Sequence, residues 1–140
     1  MEKKERIYLD NAATSWPKPA AVYQATDHYQ RELGAPAGRS NYQQADQVQR
    51  TIDRARHQLA RLLGASASER VVFTSGGTGS LNQAIHGCLR PGDHVVTTVA
   101  EHNSILRPLR YLESQGRITV TRVGCCSSCE IDPLEVRQAI

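Results

Sequence analysis

Lysine is almost missing from this chain. Of its 17 basic residues only Lys3, Lys4 and Lys18 are lysines, and none follows Lys18. Over most of the length, therefore, no side-chain amine is available as a nucleophile. Long apolar runs are missing too: nothing approaches the length of a membrane span, and the charged start "MEKKERIYLD" lacks the apolar stretch of a secretory signal. A cytoplasmic protein with no membrane contact is the expectation. The 17 basic and 14 acidic residues, net charge +3, are scattered without a basic block, so no nucleic-acid partner is expected. Cysteine is scarce and poorly spaced for metal. Cys126 and Cys129 make one C-x-x-C beside Cys125, and Cys88 stands apart. Zinc would want a second pair or histidines at finger spacing, and a redox motif would want a helix N-terminus directly after its first cysteine. No metal site is expected, and the thiols read as an incidental cluster of a reducing compartment.

What is present suits one folded domain: 140 residues, 15.5 kDa and 39% hydrophobic content. "RIYLDNAATSWPKP" gives a short strand-like run, a small-residue turn and two prolines, an arm and loop over residues 1–20. Residues 18–34 read as a helix ending at Gly34, followed by the irregular "GAPAGRSNY". Ala45, Val48, Ile52, Ala55, Leu59 and Leu62 then recur three and four apart, an apolar helical stripe that stops at Gly64 and is expected to pack on a sheet.

From residue 70 strands and helices alternate: "RVVFT" as strand, 78–89 as helix, "HVVTTV" as strand, 104–115 as helix, "ITVTRV" as strand. Such alternation implies an α/β fold, a three-layer α/β/α arrangement around a mostly parallel, doubly wound sheet. Ligands in such sheets gather at the carboxyl ends of the strands. Here those ends lead into "SGGTGS", "AEHNS" and "GCCSSC". Asp132, Pro133 and Glu135 then mark a helix start that the sequence does not complete, so the chain is expected to be the N-terminal piece of a longer protein.

The turn in "FTSGGTGSLNQAI" carries the first functional signal. A strand, glycines and a helix place free backbone N–H groups and a helix dipole where an anion can sit, with Thr78 and Ser80 as hydroxyl donors. A phosphate is the natural guest. One candidate is a dinucleotide: "GTGSLN" nearly spells G-x-G-x-x-G, and Glu101 closes the next strand as a ribose-binding acid would. Asn82 stands where the third glycine belongs, and some seventy residues precede a fingerprint that normally opens its domain. An NAD-binding oxidoreductase domain therefore remains the second reading.

Three stretches taken together favour another. "YLDNAATSWPKP" at 8–19, "FTSGGTGSLNQAI" at 73–85 and "PGDHVVTTVAEHNSILRPL" at 91–109 resemble the N-terminal part of the cysteine desulfurases. These are pyridoxal-phosphate-dependent, fold-type I enzymes of the class V aminotransferase group. The resemblance implies an enzyme that converts L-cysteine to L-alanine and enzyme-bound persulfide sulfur for iron–sulfur cluster assembly or other sulfur transfer. It further implies a homodimer and a sulfur-acceptor protein. Residues 21–140 would be the N-terminal part of the cofactor-binding large domain, incomplete in this chain, and 1–20 its substrate-side arm.

Residue by residue, the resemblance implies that Gly77 and Thr78 bind the cofactor phosphate. His102 would lie against the pyridine ring and assist proton transfers, and an imidazole at a strand end suits both tasks. Asn11 to Thr14 would line the substrate pocket, with Asn11 and Ala13 the named candidates. Some positions depart from the family pattern. Gly79 replaces a usual acidic residue, and of a glycine-rich stretch only Gly38, Arg39 and Ser40 keep the flavour. The lysine that carries the cofactor, the aspartate at the pyridine nitrogen and the sulfur-accepting cysteine all belong to later parts of family chains, so the 140-residue piece alone is expected not to catalyse. Another class V enzyme, such as a selenocysteine lyase, shares these features.

Overall fold

The computed structural model describes residues 6–39 and 41–140. Lys3, Lys4 and Ser40, noted above, lie outside them. The chain divides into two compact units, Met1–Val72 and Phe73–Ile140.

In the first unit the run Ile7–Asp10 forms no strand. It leads instead into a turn whose Ala13 and Thr14 N–H groups donate to the Asp10 carbonyl at 3.2 and 3.4 Å. Pro19 then opens α1, Ala20–His28, its preset φ of −52° matching a helix entry. A π-helical turn, Tyr29–Leu33, continues α1 and stops where Gly34 (φ +50°) donates to the Tyr29 carbonyl at 2.8 Å. Helix α2, Gln43–Leu62, ends in a Schellman closure: Gly64 (φ +66°) donates to Arg61 and Ala65 to Ala60.

Within its own unit the first part of the α2 stripe packs on the segment that precedes the helix. Ala45 and Val48 are buried against Ala35, with Leu33, Ala37 and Ile52 packed around them. Periodicity identifies the apolar face of a helix but not its neighbour. At the far end of the stripe Leu62 is 79% exposed.

The second unit is built on a parallel βαβ crossover. Strand β1, His94–Thr98, pairs with β2, Thr119–Val123, in register from His94↔Thr119 to Thr98↔Val123. Helix α4, Asn103–Ser114, connects them, and α3, Gly77–Cys88, packs beside α4. Leu109, Leu112 and Ile118 are buried at the centre, surrounded by Ile85, Leu89, Val95, Ile105 and Val120. Helix α4 ends at Gly116 (φ +64°) with the same closure as α2, and α5, Pro133–Ala139, starts where Asp132 Oδ1 accepts from the Leu134 N–H at 2.8 Å.

"RVVFT" differs from expectation. Val71–Thr74 form no strand. A strand exists only with a neighbour to share its backbone bonds, and the sheet among the described residues holds β1 and β2 alone. The fold is thus an incomplete α/β arrangement with a two-stranded parallel sheet. Among the described residues no helix is long and apolar enough to cross a membrane.

Candidate functional site

Gly76 caps α3 at φ +156°, a backbone region that side chains rarely allow. Its neighbours close the turn from behind. The Thr74 and Ser80 hydroxyls lie 2.6 Å apart and reach the Gly76 carbonyl at 3.0 and 3.3 Å, while the Gly76 N–H donates to Thr74 Oγ1 at 3.4 Å. Ser80, offered by the sequence as an anion donor, is therefore used within the turn. No side chain caps α3. Its first-turn N–H groups, from Gly77, Thr78 and Gly79, have no partner within the helix by construction, and the Thr78 hydroxyl makes no hydrogen bond among the described residues. A Cβ added at Gly76 or Gly77 would meet no atom within 4 Å. Open space, three backbone donors, one hydroxyl and a helix dipole fit a phosphate.

His102 is the N-cap of α4. Its Nδ1 accepts from the Ser104 N–H at 3.1 Å and lies 2.8 Å from Ser104 Oγ, and Ser104 is 7% exposed. A backbone N–H can only donate, so Nδ1 holds a lone pair and the neutral ring carries its proton on Nε2. Nε2 is then the atom left for exchange with a ligand.

Thr78 and His102 line one open concavity of about 500 Å³, together with Asn82, His86, Arg107 and Tyr111. The two candidates from separate motifs are thus brought together. Asn82 holds the helices that carry them. Its Nδ2 donates to the Thr78 carbonyl at 2.9 Å and to the Ser104 carbonyl at 3.5 Å. The second bond has a specific cause: Pro108, buried within α4, has no N–H to give the carbonyl four residues back, which is that of Ser104. In the sequence Asn82 shows only as the residue in place of a third glycine, and Arg107 carries no signal of its own. The spacing Thr78–Asn82, one helical turn, and a proline inside the α4 pattern were the available signals.

Asn11 and Ala13 belong to the Met1–Val72 unit. Both are exposed in the turn after Asp10. Asn11 Oδ1 accepts from the Trp16 N–H at 3.2 Å, so its carbonyl supports the loop and its amide group is what remains for a ligand. The Tyr8 hydroxyl bridges the Asp10 and Thr14 carbonyls at 3.0 and 2.7 Å. Tyr8 and Trp16 meet edge to face at 5.5 Å beneath the Arg6 guanidinium, 4.5 Å from the Trp16 ring. Among the described residues no group of three or more His, Cys, Asp or Glu is placed to hold a metal ion.

Fold and turn define the class: an α/β chain with an anion-ready helix N-terminus beside a parallel βαβ unit. The aminotransferase class-V family model matches residues 7–140, and the chain belongs to that family. It is 32% identical over 142 residues to the cysteine desulfurase IscS of Dictyoglomus turgidum, a match covering 98% of this chain and 35% of the relative. It is 36% identical over 140 residues to the cysteine desulfurase IscS of Photorhabdus laumondii subsp. laumondii, covering 96% of this chain and 34% of that one. The structure superposes on the apo cysteine desulfurase from Thermococcus onnurineus NA1 with a TM-score of 0.82 at 27% identity, over 95% of this chain and 34% of that chain. The chain spans about a third of the length of these relatives. The dinucleotide reading loses ground, because its glycines should follow directly on a strand and Val71–Thr74 form none.

Proposed function

We propose that this chain supplies the phosphate-binding part of a pyridoxal-phosphate-dependent cysteine desulfurase, which converts L-cysteine to L-alanine and passes the sulfur to an acceptor protein for iron–sulfur cluster assembly or related sulfur transfer. The observation that carries the reading is that Thr78, in the uncapped first turn of α3, lines one concavity with His102. Residues 21–140 belong to the cofactor-binding domain and 1–20 form the substrate-side arm, in a cytoplasmic homodimer.

The Gly77 and Thr78 N–H groups and the Thr78 hydroxyl hold the phosphate, and Arg107 adds positive charge to the same concavity. When bound, pyridoxal phosphate supplies the electron sink for cleaving the substrate's carbon–sulfur bond. His102 covers the ring and moves protons at Nε2, because Nδ1 is engaged by Ser104. Ser104, itself buried, keeps the imidazole in this tautomer. Asn11, through its amide group, and Ala13 contact the substrate.

No lysine follows Lys18, and Lys18 Nζ is engaged by Ser15 O at 2.8 Å and Thr14 Oγ1 at 3.3 Å. The purified 140-residue chain therefore forms no alanine from L-cysteine with added cofactor, and alanine production would overturn the requirement for a further lysine. Equilibrium dialysis tests the binding role: the chain retains pyridoxal phosphate and Thr78→Val loses retention several-fold. Retention of NAD in place of pyridoxal phosphate would contradict the proposal.

A further inference from the structure

Beyond β2 the chain enters the loop Gly124–Ile131, whose cysteines the site above does not use. The Cys129 N–H donates to the Cys126 carbonyl at 2.9 Å, closing a four-residue turn over Ser127 and Ser128. The Cys126 N–H donates to the Glu130 carbonyl at 3.0 Å, clamping the base of that turn. A bond of this i to i+3 kind holds the two end Cα atoms within about 7 Å, which reaches the separation a disulfide spans. Cys129 leaves the turn at φ +61°, and among the described residues it is the non-glycine with positive φ. Cys125, adjacent to Cys126 in sequence, is not drawn to either by such a bond. All these cysteines are exposed free thiols.

The sulfur of Cys126 is the best supported of them. Ser128 Oγ lies 2.9 Å from Cys126 Sγ and 3.1 Å from Glu130 Oε2, so its single proton can serve either atom. The Glu130 carboxylate accepts from the thiol at 3.9 Å while Cys126 is protonated. On ionisation the Ser128 hydroxyl turns to the sulfur, and the backbone N–H groups of Glu130 and Ser128 add to it; together they hold the Cys126 thiol below its ordinary value. Glu130, Asp132 and Glu135 line the same surface hollow and oppose this with negative charge.

We propose that Cys126 and Cys129 form a reversible dithiol–disulfide site that reacts with small-molecule disulfides, Cys126 attacking and Cys129 resolving. The Cys126 thiolate attacks one sulfur of the small disulfide, whose S–S bond breaks and whose other half leaves with the electron pair as a thiolate. The Cys129 thiolate then attacks Cys126 Sγ in the mixed disulfide and expels the second small thiolate. Two protein thiols are oxidised by two electrons, the small disulfide is reduced to two thiols, and the two protein protons end on them. The sequence lacked a helix N-terminus after the first cysteine. The turn supplies its N–H groups instead.

The test is to treat the purified full chain with oxidised glutathione and map the products by mass spectrometry. One intramolecular disulfide, between Cys126 and Cys129, is expected. Cys129→Ser should trap glutathione on Cys126, whereas Cys126→Ser should yield neither a loop disulfide nor a stable adduct on Cys129. In the unmodified chain Cys126 should alkylate several-fold faster than Cys88 at neutral pH, and this preference should vanish in urea. A bond involving Cys125, adducts spread evenly over the four cysteines, or equal native alkylation rates would overturn the proposal.

Discussion

At the scale of single residues, His102 combines an observed N-cap role with the proposed one at the cofactor. As N-cap it satisfies the Ser104 N–H, and as a ring with its proton on Nε2 it is equipped to cover a flat cofactor and exchange protons. His102→Ala removes both, and urea unfolding should show a loss of about 0.5–2 kcal/mol, the usual worth of a cap. His102→Asn keeps a cap-competent side chain. It should recover most of that stability while the cofactor's bound spectrum stays perturbed, which a purely structural histidine would not do. Gly79 is the complementary case. It sits in the first turn of α3, where an added Cβ would meet Ser75 Oγ at 3.3 Å, a contact that one small hydroxyl can relieve by rotating. Gly79→Glu should raise stability by about 0.5–1 kcal/mol, because glycine disfavours a helix and an acid suits its N-terminus. A fall in the unfolding midpoint would show that Ser75 does not yield.

At the scale of elements, α3 and α4 pack through Ile85, Leu89, Leu109 and Leu112, and among the described residues Asn82 adds a hydrogen bond from one helix to the other. Pro108 orphans the Ser104 carbonyl, and Asn82 reaches across to it while bonding the Thr78 carbonyl on its own helix. Asn82→Ala should cost roughly 1–3 kcal/mol, the range for stranding a buried polar group. Pro108→Ala gives α4 back its own donor, so in that background the same substitution should cost less. A double-mutant cycle with no coupling would remove Asn82 from its positioning role. Farther along, Arg122 on β2 pairs with Glu113 on α4 at 2.7 Å. The hydrogen bond from Arg122 is the leading cause that lowers the Glu113 carboxyl below its ordinary 4.5. A carboxylate lowered on folding adds stability that is fully present above its unfolded value and is lost as pH falls through its folded value. Glu113→Gln should therefore flatten the stability profile on the acid side of pH 4.5 and leave its shape at neutral pH unchanged, as measured by denaturant unfolding across that range.

At the scale of the whole molecule, local chemistry was legible in the sequence and long-range partnership was not. Gly34 and Gly64 stop their helices, and Asp132 caps α5, because each device is complete within a few residues. The strands of the βαβ crossover were legible from their apolar runs around an amphipathic helix. Val71–Thr74 carry the same composition without forming a strand, since pairing depends on a neighbour that composition does not name. The α2 stripe likewise showed which face is apolar but not that Ala35 would meet it. Of the candidate site, the motifs single out Thr78 and His102, which the structure sets in one concavity. Asn82 was hidden because its purpose depends on Pro108, on another helix. The α3 N-terminus is proposed above as the phosphate site of a pyridoxal cofactor. Its most direct measurement is a backbone amide NMR titration of the chain with pyridoxal phosphate, and in parallel with pyridoxal. The account predicts that the Gly77, Thr78 and Gly79 amides shift with the phosphorylated form and stay unmoved with the other, and that Thr78→Val weakens the response. Equal shifts from both compounds, or none at these three amides, would contradict it.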